Sequence, residues 1–287
     1  MPAPAAPLFL LPPPYRSTTE IAPDPAALRA VGKAPGVALV WRLGGLLDER
    51  LAPLVRNRPG GLALILVLPP PERLSDSHRI LHLVEDVRPA GIMPHVTELR
   101  SGELAQVLRQ PPEDLAMEVT EYLRWRGLAV DRDTVHLLRR TIELSAELRS
   151  VSALARALYL SRRALGRRFM SRGLPVPSHW LHFARLLRVV IRLQNSNESV
   201  LGVGYALGYP DGFSLSNQML RLTGHRPSEA RECLGWEWFM ESWLRTEAEA
   251  GNLAPDAAAR ALTGTPSPAS MNQSRRPTPD RRGRQVG

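Results

Sequence analysis

The chain has 287 residues, 44% hydrophobic and 23% charged, which is enough apolar surface for one or two folded cores. No run of about 18 apolar residues occurs, which excludes a membrane-spanning helix, and a single cysteine excludes a disulfide scaffold. The formal net charge of +9 is uneven, because residues 133–250 contain 16 basic and 11 acidic side chains. This excess favours a polyanionic partner for the second half, although a solvated basic surface would look the same.

The N-terminal stretch over residues 1–35 is rich in proline and alanine and shows little periodicity. It is therefore predicted to be a disordered lead-in. Its short apolar segment has no basic region before it and is interrupted by prolines, so it makes a poor signal peptide. Together with the lone Cys233, this favours a cytoplasmic protein.

The next segment, residues 36–130, is predicted to be a small α/β domain with a parallel sheet and a regulatory or dimerising role. Short apolar runs closed by turn residues indicate buried strands, and the segments between them have helical spacing. The element order is β-α-β-α-β, with strands at 36–43, 61–71 and 90–96 and helices at 46–58 and 74–87.

This order loosely resembles part of a receiver or flavodoxin-like domain. A receiver carries an acidic phospho-acceptor at the end of its central strand, whereas here that strand runs into Leu68 and three prolines. No glycine-rich phosphate loop is present either. The sequence therefore does not support phosphorylation at this place, and the domain's ligand or partner stays open.

A helix is expected over residues 112–127, and a series of helices begins near residue 133 and continues to residue 250. Within it, a short helix over 152–158 and a second helix that begins at Ser161 are separated by a three-residue break. Ser161 suits an N-cap, because its hydroxyl can accept a free backbone N–H. This arrangement predicts a helix-turn-helix, whose second helix can enter a major groove of DNA.

The second of these helices has a strongly basic outer face. Residues 151–172 contain six arginines and no acidic residue. With Leu165 and Phe169 turned inward, Arg163 and Arg167 fall together on the outer face, and arginine can donate two hydrogen bonds to guanine. A charged solvent-exposed face is the alternative interpretation.

A second copy of the pattern follows, with a short helix over 200–207, a turn, and a helix capped by Asp211. The apolar-striped helix over 178–195 joins the two copies and would be about 27 Å long. That length approaches the spacing of about 34 Å between successive major-groove faces.

At this point residues 133–233 resemble the AraC/XylS family of transcription regulators. The most specific part of this resemblance is the second motif, where the family residues from Gly208 to Arg231 occur at the family spacing without a gap. Further matches are Leu154-Ala155, Leu160-Ser161, Leu165, Phe169, Pro177, Trp180-Leu181, Arg185-Leu186 and Leu193.

The resemblance implies an all-α DNA-binding domain over 131–250, with two recognition helices that enter adjacent major grooves of double-stranded DNA. It leaves a homodimer and an effector at the N-terminal domain open, and it implies no cofactor, metal or membrane. The base-facing positions carried over are Arg162, Arg163, Gly166, Arg167, Gly212, Phe213, Ser214, Ser216 and Asn217.

Several positions depart from the family pattern. Tyr159 stands where a small residue often makes the first turn, and Asn217 replaces a common arginine. Residues 198–231 carry three arginines and three acidic residues, so the second motif lacks the positive charge of the first. We therefore expect the first motif to dominate affinity.

Two segments lie beyond the usual family end. Residues 234–250 are predicted to form an acidic amphipathic helix with an apolar stripe, which would pack on its own domain or serve as a partner surface. Residues 251–287 lose periodicity and are predicted to be a disordered basic tail.

Two other classes of function are alternatives. An enzyme in the α/β domain is disfavoured, because no convergent catalytic set is visible. His78 and His82 have the spacing of paired metal ligands, yet the flanking residues offer no third ligand. The remaining alternative is a degenerate helix-turn-helix protein that acts through protein contacts.

Overall fold

The computed structural model describes residues 7–44, 50–73, 77–128 and 131–264. Its N-terminal part contains a mixed sheet of five strands in the order β2-β1-β3-β4-β5. Strands β3, β4 and β5 are parallel, as predicted, but β1 is antiparallel to both β2 and β3. The strands are β1 Leu8–Leu11, β2 Thr19–Glu20, β3 Ala38–Arg42, β4 Ala63–Val67 and β5 Gly91–Met93.

The prediction of a wholly parallel sheet is thus wrong at one edge. The prediction of a disordered lead-in is also wrong where β1, β2 and the helix α1 (Pro25–Val31) form. Strand β1 pairs along its whole length with β3, and Leu8 and Leu11 are fully buried because they pack in the cores on opposite faces of the sheet. Asp24 caps the following helix by accepting the N–H of Ala27 at 2.9 Å. The four apolar residues of β1 thus form an ordered strand although the sequence around them is rich in proline.

Helices cover both faces of the sheet. Leu28 of α1, Val55 of α2 and Val87 of α3 pack with one face. Leu104 of α4 and Leu234 from the C-terminal half pack with the other. The helices are α1 Pro25–Val31, α2 Ala52–Arg56, α3 Ser77–Val87 and α4 Ser101–Arg109, with a short 3-10 turn at Pro71–Arg73.

The rest of the described chain is helical and shares one large core. The amphipathic spacing predicted for this region places its apolar residues inward. The helices are α5 Leu115–Trp125, α6 Arg132–Leu144, α7 Val151–Ala157, α8 Arg162–Met170, α9 Pro177–Asn195, α10 Val200–Ala206, α11 Gly212–Thr223, α12 Pro227–Glu232, α13 Glu237–Glu249 and α14 Pro255–Thr263. Within the described ranges, none of the helices is long and apolar enough to cross a bilayer.

The tryptophan-rich helix α13 packs inside its own chain. Trp243 is fully buried, and its ring stacks on Phe183 of α9 with centroids 4.1 Å apart. Trp180 packs edge-on against the Trp243 ring, and the two ring centroids lie 4.6 Å apart. The apolar stripe of this helix is therefore largely used by the fold and is not a free partner surface.

The segment after α13 also differs from the predicted disorder. Helix α14 begins with a proline, ends at Gly264 in the left-handed conformation, and buries Ala261 in the helical core. The N–H of Ala254 donates to the Gly173 carbonyl at 3.0 Å. These tertiary contacts order an alanine-rich segment whose sequence shows no clear periodicity. The arginine run at 275–284 lies outside the described residues.

Candidate nucleic-acid interface

Helices α7 and α8 form the first helix pair. Ser150 caps α7 and Ser161 caps α8, the latter by accepting the N–H of Ala164 at 3.1 Å. Leu165 and Phe169 are fully buried beneath α8. The turn between the helices places Tyr159 at φ +55°, and its side chain is 96% exposed. The predicted cap and the predicted inward face are both confirmed here.

The outer face of α8 carries an uninterrupted positive charge. Arg162, Arg163, Arg167 and Arg168 are all exposed, and among the described residues none of them forms an ion pair. Gly166 lies between them, and a Cβ added there would have no atom within 4 Å. The structure therefore brings the four predicted residues of this helix to one open surface.

Helices α10 and α11 form the second helix pair, with the same local construction. Gly208 makes the turn at φ +79°. Asp211 caps α11 by accepting the N–H of Ser214 at 2.6 Å, and this hydrogen bond holds the pKa of the carboxyl below its ordinary value. Leu215 and Met219 are fully buried beneath the helix.

The predicted residues of α11 differ in how free they are. Phe213 is 76% exposed, and Asn217 is also exposed. The hydroxyl of Ser214 instead donates to Asp211 at 3.0 Å, and that of Ser216 donates to the Gly212 carbonyl at 2.8 Å. Phe213 and Asn217 are thus the side chains of this set best placed to meet a ligand.

The long helix α9 holds the two pairs. Its 19 residues correspond to about 28 Å at 1.5 Å per residue. Leu186, Val189 and Val190 are fully buried along its length, in the core that also contains Leu165 of α8 and Leu215 of α11. The spacing of α8 and α11 is therefore set by a rigid element rather than by a loop.

One basic contribution to the second helix pair is not apparent from its own sequence. Arg149 follows α6, yet its guanidinium lies against Gly208, such that a Cβ on that glycine would be 2.7 Å from Nε. Only the tertiary fold brings together residues this far apart, and no local signal in the sequence could have found this contact.

The two histidines of α3 with the spacing of metal ligands lie against each other. The rings of His78 and His82 lie 4.4 Å apart, edge to face. Within the described parts of the chain, no group of three or more His, Cys, Asp or Glu side chains could hold a metal ion.

Comparison with known proteins identifies a family for part of the helical region. Residues 154–232 match a family model described as a helix-turn-helix domain. The match supports an AraC-type regulator and DNA-binding transcription regulation, and the matched family is not a family of enzymes. It covers less than a third of the chain and leaves out the sheet. No curated protein and no solved structure matches the chain.

Proposed function

We propose that this protein is a sequence-specific transcription regulator that inserts α8 and α11 into adjacent major grooves of double-stranded DNA. The observation that carries the proposal is the outer face of α8, where Arg162, Arg163 and Arg167 are exposed on the same side of the helix as an open glycine. Arginine suits such a face because its guanidinium can donate to guanine O6 and N7 together. In this proposal Arg163 and Arg167 bind bases, and Arg162 supports them.

The second helix pair contributes less electrostatic attraction than the first, and it would recognise bases through hydrogen bonds and an apolar contact. Asn217 can form two hydrogen bonds with adenine, and Phe213 can contact a thymine methyl group. Ser214 and Ser216 approach the DNA with hydroxyls already engaged within α11. In this proposal α8 provides most of the DNA affinity, and α11 recognises a second cluster of base pairs.

A second candidate function has its own supporting observation. Leu201, Tyr205 and Phe213 on the second helix pair are 45%, 57% and 76% exposed. Exposed apolar side chains of this size also suit a protein partner. Under this alternative the chain would act through protein contacts, and α11 would not bind bases. A homodimer and an effector bound by the sheet region belong to the proposal in either case.

The first test is selection of duplexes from a random pool by the full chain at about 150 mM salt. Two enriched clusters separated by about one helical turn would support both recognition helices. A single short cluster would restrict base recognition to α8. Salt-sensitive binding without enrichment would favour the alternative function.

The second test replaces Arg163 and Arg167 together by alanine. The loss should be at least about 2 kcal/mol, or about thirtyfold in Kd for the selected site, because each bidentate contact contributes about 1–3 kcal/mol. The matched control replaces Arg124 and Arg140, which are also exposed helical arginines, and removes the same net charge. Binding within twofold of the parent would show that α8 is not the recognition helix.

A further inference from the structure

Two arginines from different elements meet between the helix pairs. Arg185 lies in the middle of α9 and is 7% exposed. Its guanidinium carbon lies 5.6 Å from the centroid of the Tyr209 ring, at the start of the α10–α11 turn region. Arg149 lies at the same turn and occupies the space beside Gly208.

The charge of this pair is not neutralised by the described residues. Neither arginine forms an ion pair with any of them, and Glu147, although close in sequence, is not paired with Arg149. The Nε and Nη2 atoms of Arg185 are buried without a hydrogen-bond partner. Arg149 donates only a long hydrogen bond of 3.4 Å to the Ala146 carbonyl.

The environment of Arg185 disfavours its positive charge. Burial lowers the pKa of Arg185, the nearby Arg149 lowers it further, and Tyr209 acts in the opposite direction. A buried cation without hydrogen-bond partners is unfavourable unless something pairs with it. An anion suits this pair, because it can form charge-assisted hydrogen bonds with guanidinium groups.

The location identifies the kind of anion. Arg149 immediately precedes Ser150, the cap of α7, and Gly208 leads into α11, so the pair lies between the elements that carry the two recognition helices. We propose that Arg149 and Arg185 form a binding site for a phosphate of the DNA backbone that runs between the two contacted grooves. This inference rests on the proposed function, and it supplies the positive charge that residues 198–231 lack.

The test measures how binding depends on salt. Removing one phosphate contact should make the negative slope of log K against log salt less steep by about 0.9, which corresponds to about fivefold weaker binding at 0.15 M salt. We expect this change for Arg149→Ala on selected and random duplexes alike, because a phosphate contact carries no sequence information. Arg149→Lys should keep most of the slope, and Arg124→Ala on the exposed face of α5 should keep all of it.

Duplexes with a single neutral methylphosphonate linkage then locate the contact. One linkage between the two contacted grooves should weaken binding of the parent protein about fivefold and leave Arg149→Ala unaffected. An unchanged slope for Arg149→Ala, with the parent still binding its selected site, would overturn this inference alone. Failure of the parent to bind DNA at all would instead overturn the proposed function.

Arg185 needs a separate variant because it is buried. Arg185→Met keeps the volume and removes the charge, so the free protein should unfold at the same temperature or higher while its DNA binding weakens. A large drop in the unfolding temperature without any change in the salt slope would make Arg185 a structural residue and remove it from the site.

Discussion

At the scale of single residues, contacts between near neighbours in the chain could be predicted from the sequence, whereas contacts between distant residues could not. Ser161 and Asp211 both cap their helices, because capping depends on a hydroxyl or carboxylate a few residues from its N–H partner. The contact between Arg149 and Gly208 depends instead on the packing of α6, α9 and α10. Nothing within either segment signals it.

Gly166 allows a prediction that separates stability from binding. Gly166→Ala should stabilise the free protein by about 1 kcal/mol, because alanine is the better helix former and the new methyl group meets no atom within 4 Å. The same methyl group would project from the arginine face and should weaken binding to the selected DNA. Denaturant unfolding and a binding titration measure the two effects.

Gly102 provides the matched control for this change. It also lies within a helix, α4, with open space at the Cβ position. Gly102 lies in the first turn of α4, so Gly102→Ala should stabilise the protein by less than Gly166→Ala and leave DNA binding unchanged. Equal DNA affinities for the two variants would remove Gly166 from the proposed interface.

At the scale of elements, α13 shows why a helix beyond the family match belongs to the fold. Glu241 on α13 accepts from Arg126 through Nε at 2.6 Å and Nη2 at 3.0 Å. The hydroxyl of Tyr122 donates to the same carboxylate at 2.5 Å. Gly60 approaches so closely that a Cβ there would be 2.4 Å from Glu241 Oε1. One buried carboxylate thus joins α5, α13 and the segment before β4.

Removing one side of this buried pair should be costly. Arg126→Met should lower the free energy of unfolding by about 3–5 kcal/mol, because it leaves Glu241 buried without its cation. The double variant Arg126→Met with Glu241→Leu should recover part of that loss. Chemical denaturation followed by tryptophan fluorescence provides the measurement, and a loss below about 1 kcal/mol for the single variant would contradict the assignment.

The elements that the sequence does not predict depend on contacts between distant parts of the chain. Strand β1 and helix α14 are short, and each is held by contacts with distant residues. The helices of the matched region were predictable because each carries its own apolar face, and because α7, α8, α10 and α11 each begin after a capping side chain. The strands β3, β4 and β5 were predictable because buried parallel strands are short continuous apolar runs. The antiparallel edge required knowledge of which segment pairs with β3.

At the scale of the whole molecule, the sheet and the helical core are connected through buried hydrogen bonds. The Tyr15 hydroxyl donates to the Gly36 carbonyl at 2.7 Å and accepts the N–H of Leu234 at 2.5 Å. Burial raises the pKa of Tyr15 well above its ordinary value, so the phenol stays protonated and keeps both hydrogen bonds. Tyr15 therefore connects the sheet region directly to the segment after α12.

Tyr15→Phe tests this connection. The variant leaves a carbonyl and an N–H buried without their partner, which should lower the free energy of unfolding by about 1–3 kcal/mol. Tyr205→Phe is the control, because Tyr205 is 57% exposed and should tolerate the change. If both variants unfold like the parent, the hydroxyl of Tyr15 does not contribute to holding the two parts together.

The single cysteine lies at this same connection. Cys233 is 8% exposed, burial raises the pKa of its thiol to about 11, and a Cβ on Gly36 would be 2.6 Å from the Cys233 Cβ. A covered thiol with so little thiolate at neutral pH reacts slowly with an alkylating reagent. Alkylation would therefore proceed mainly through transient openings of this junction, and its rate would report how often the sheet and the helical core come apart.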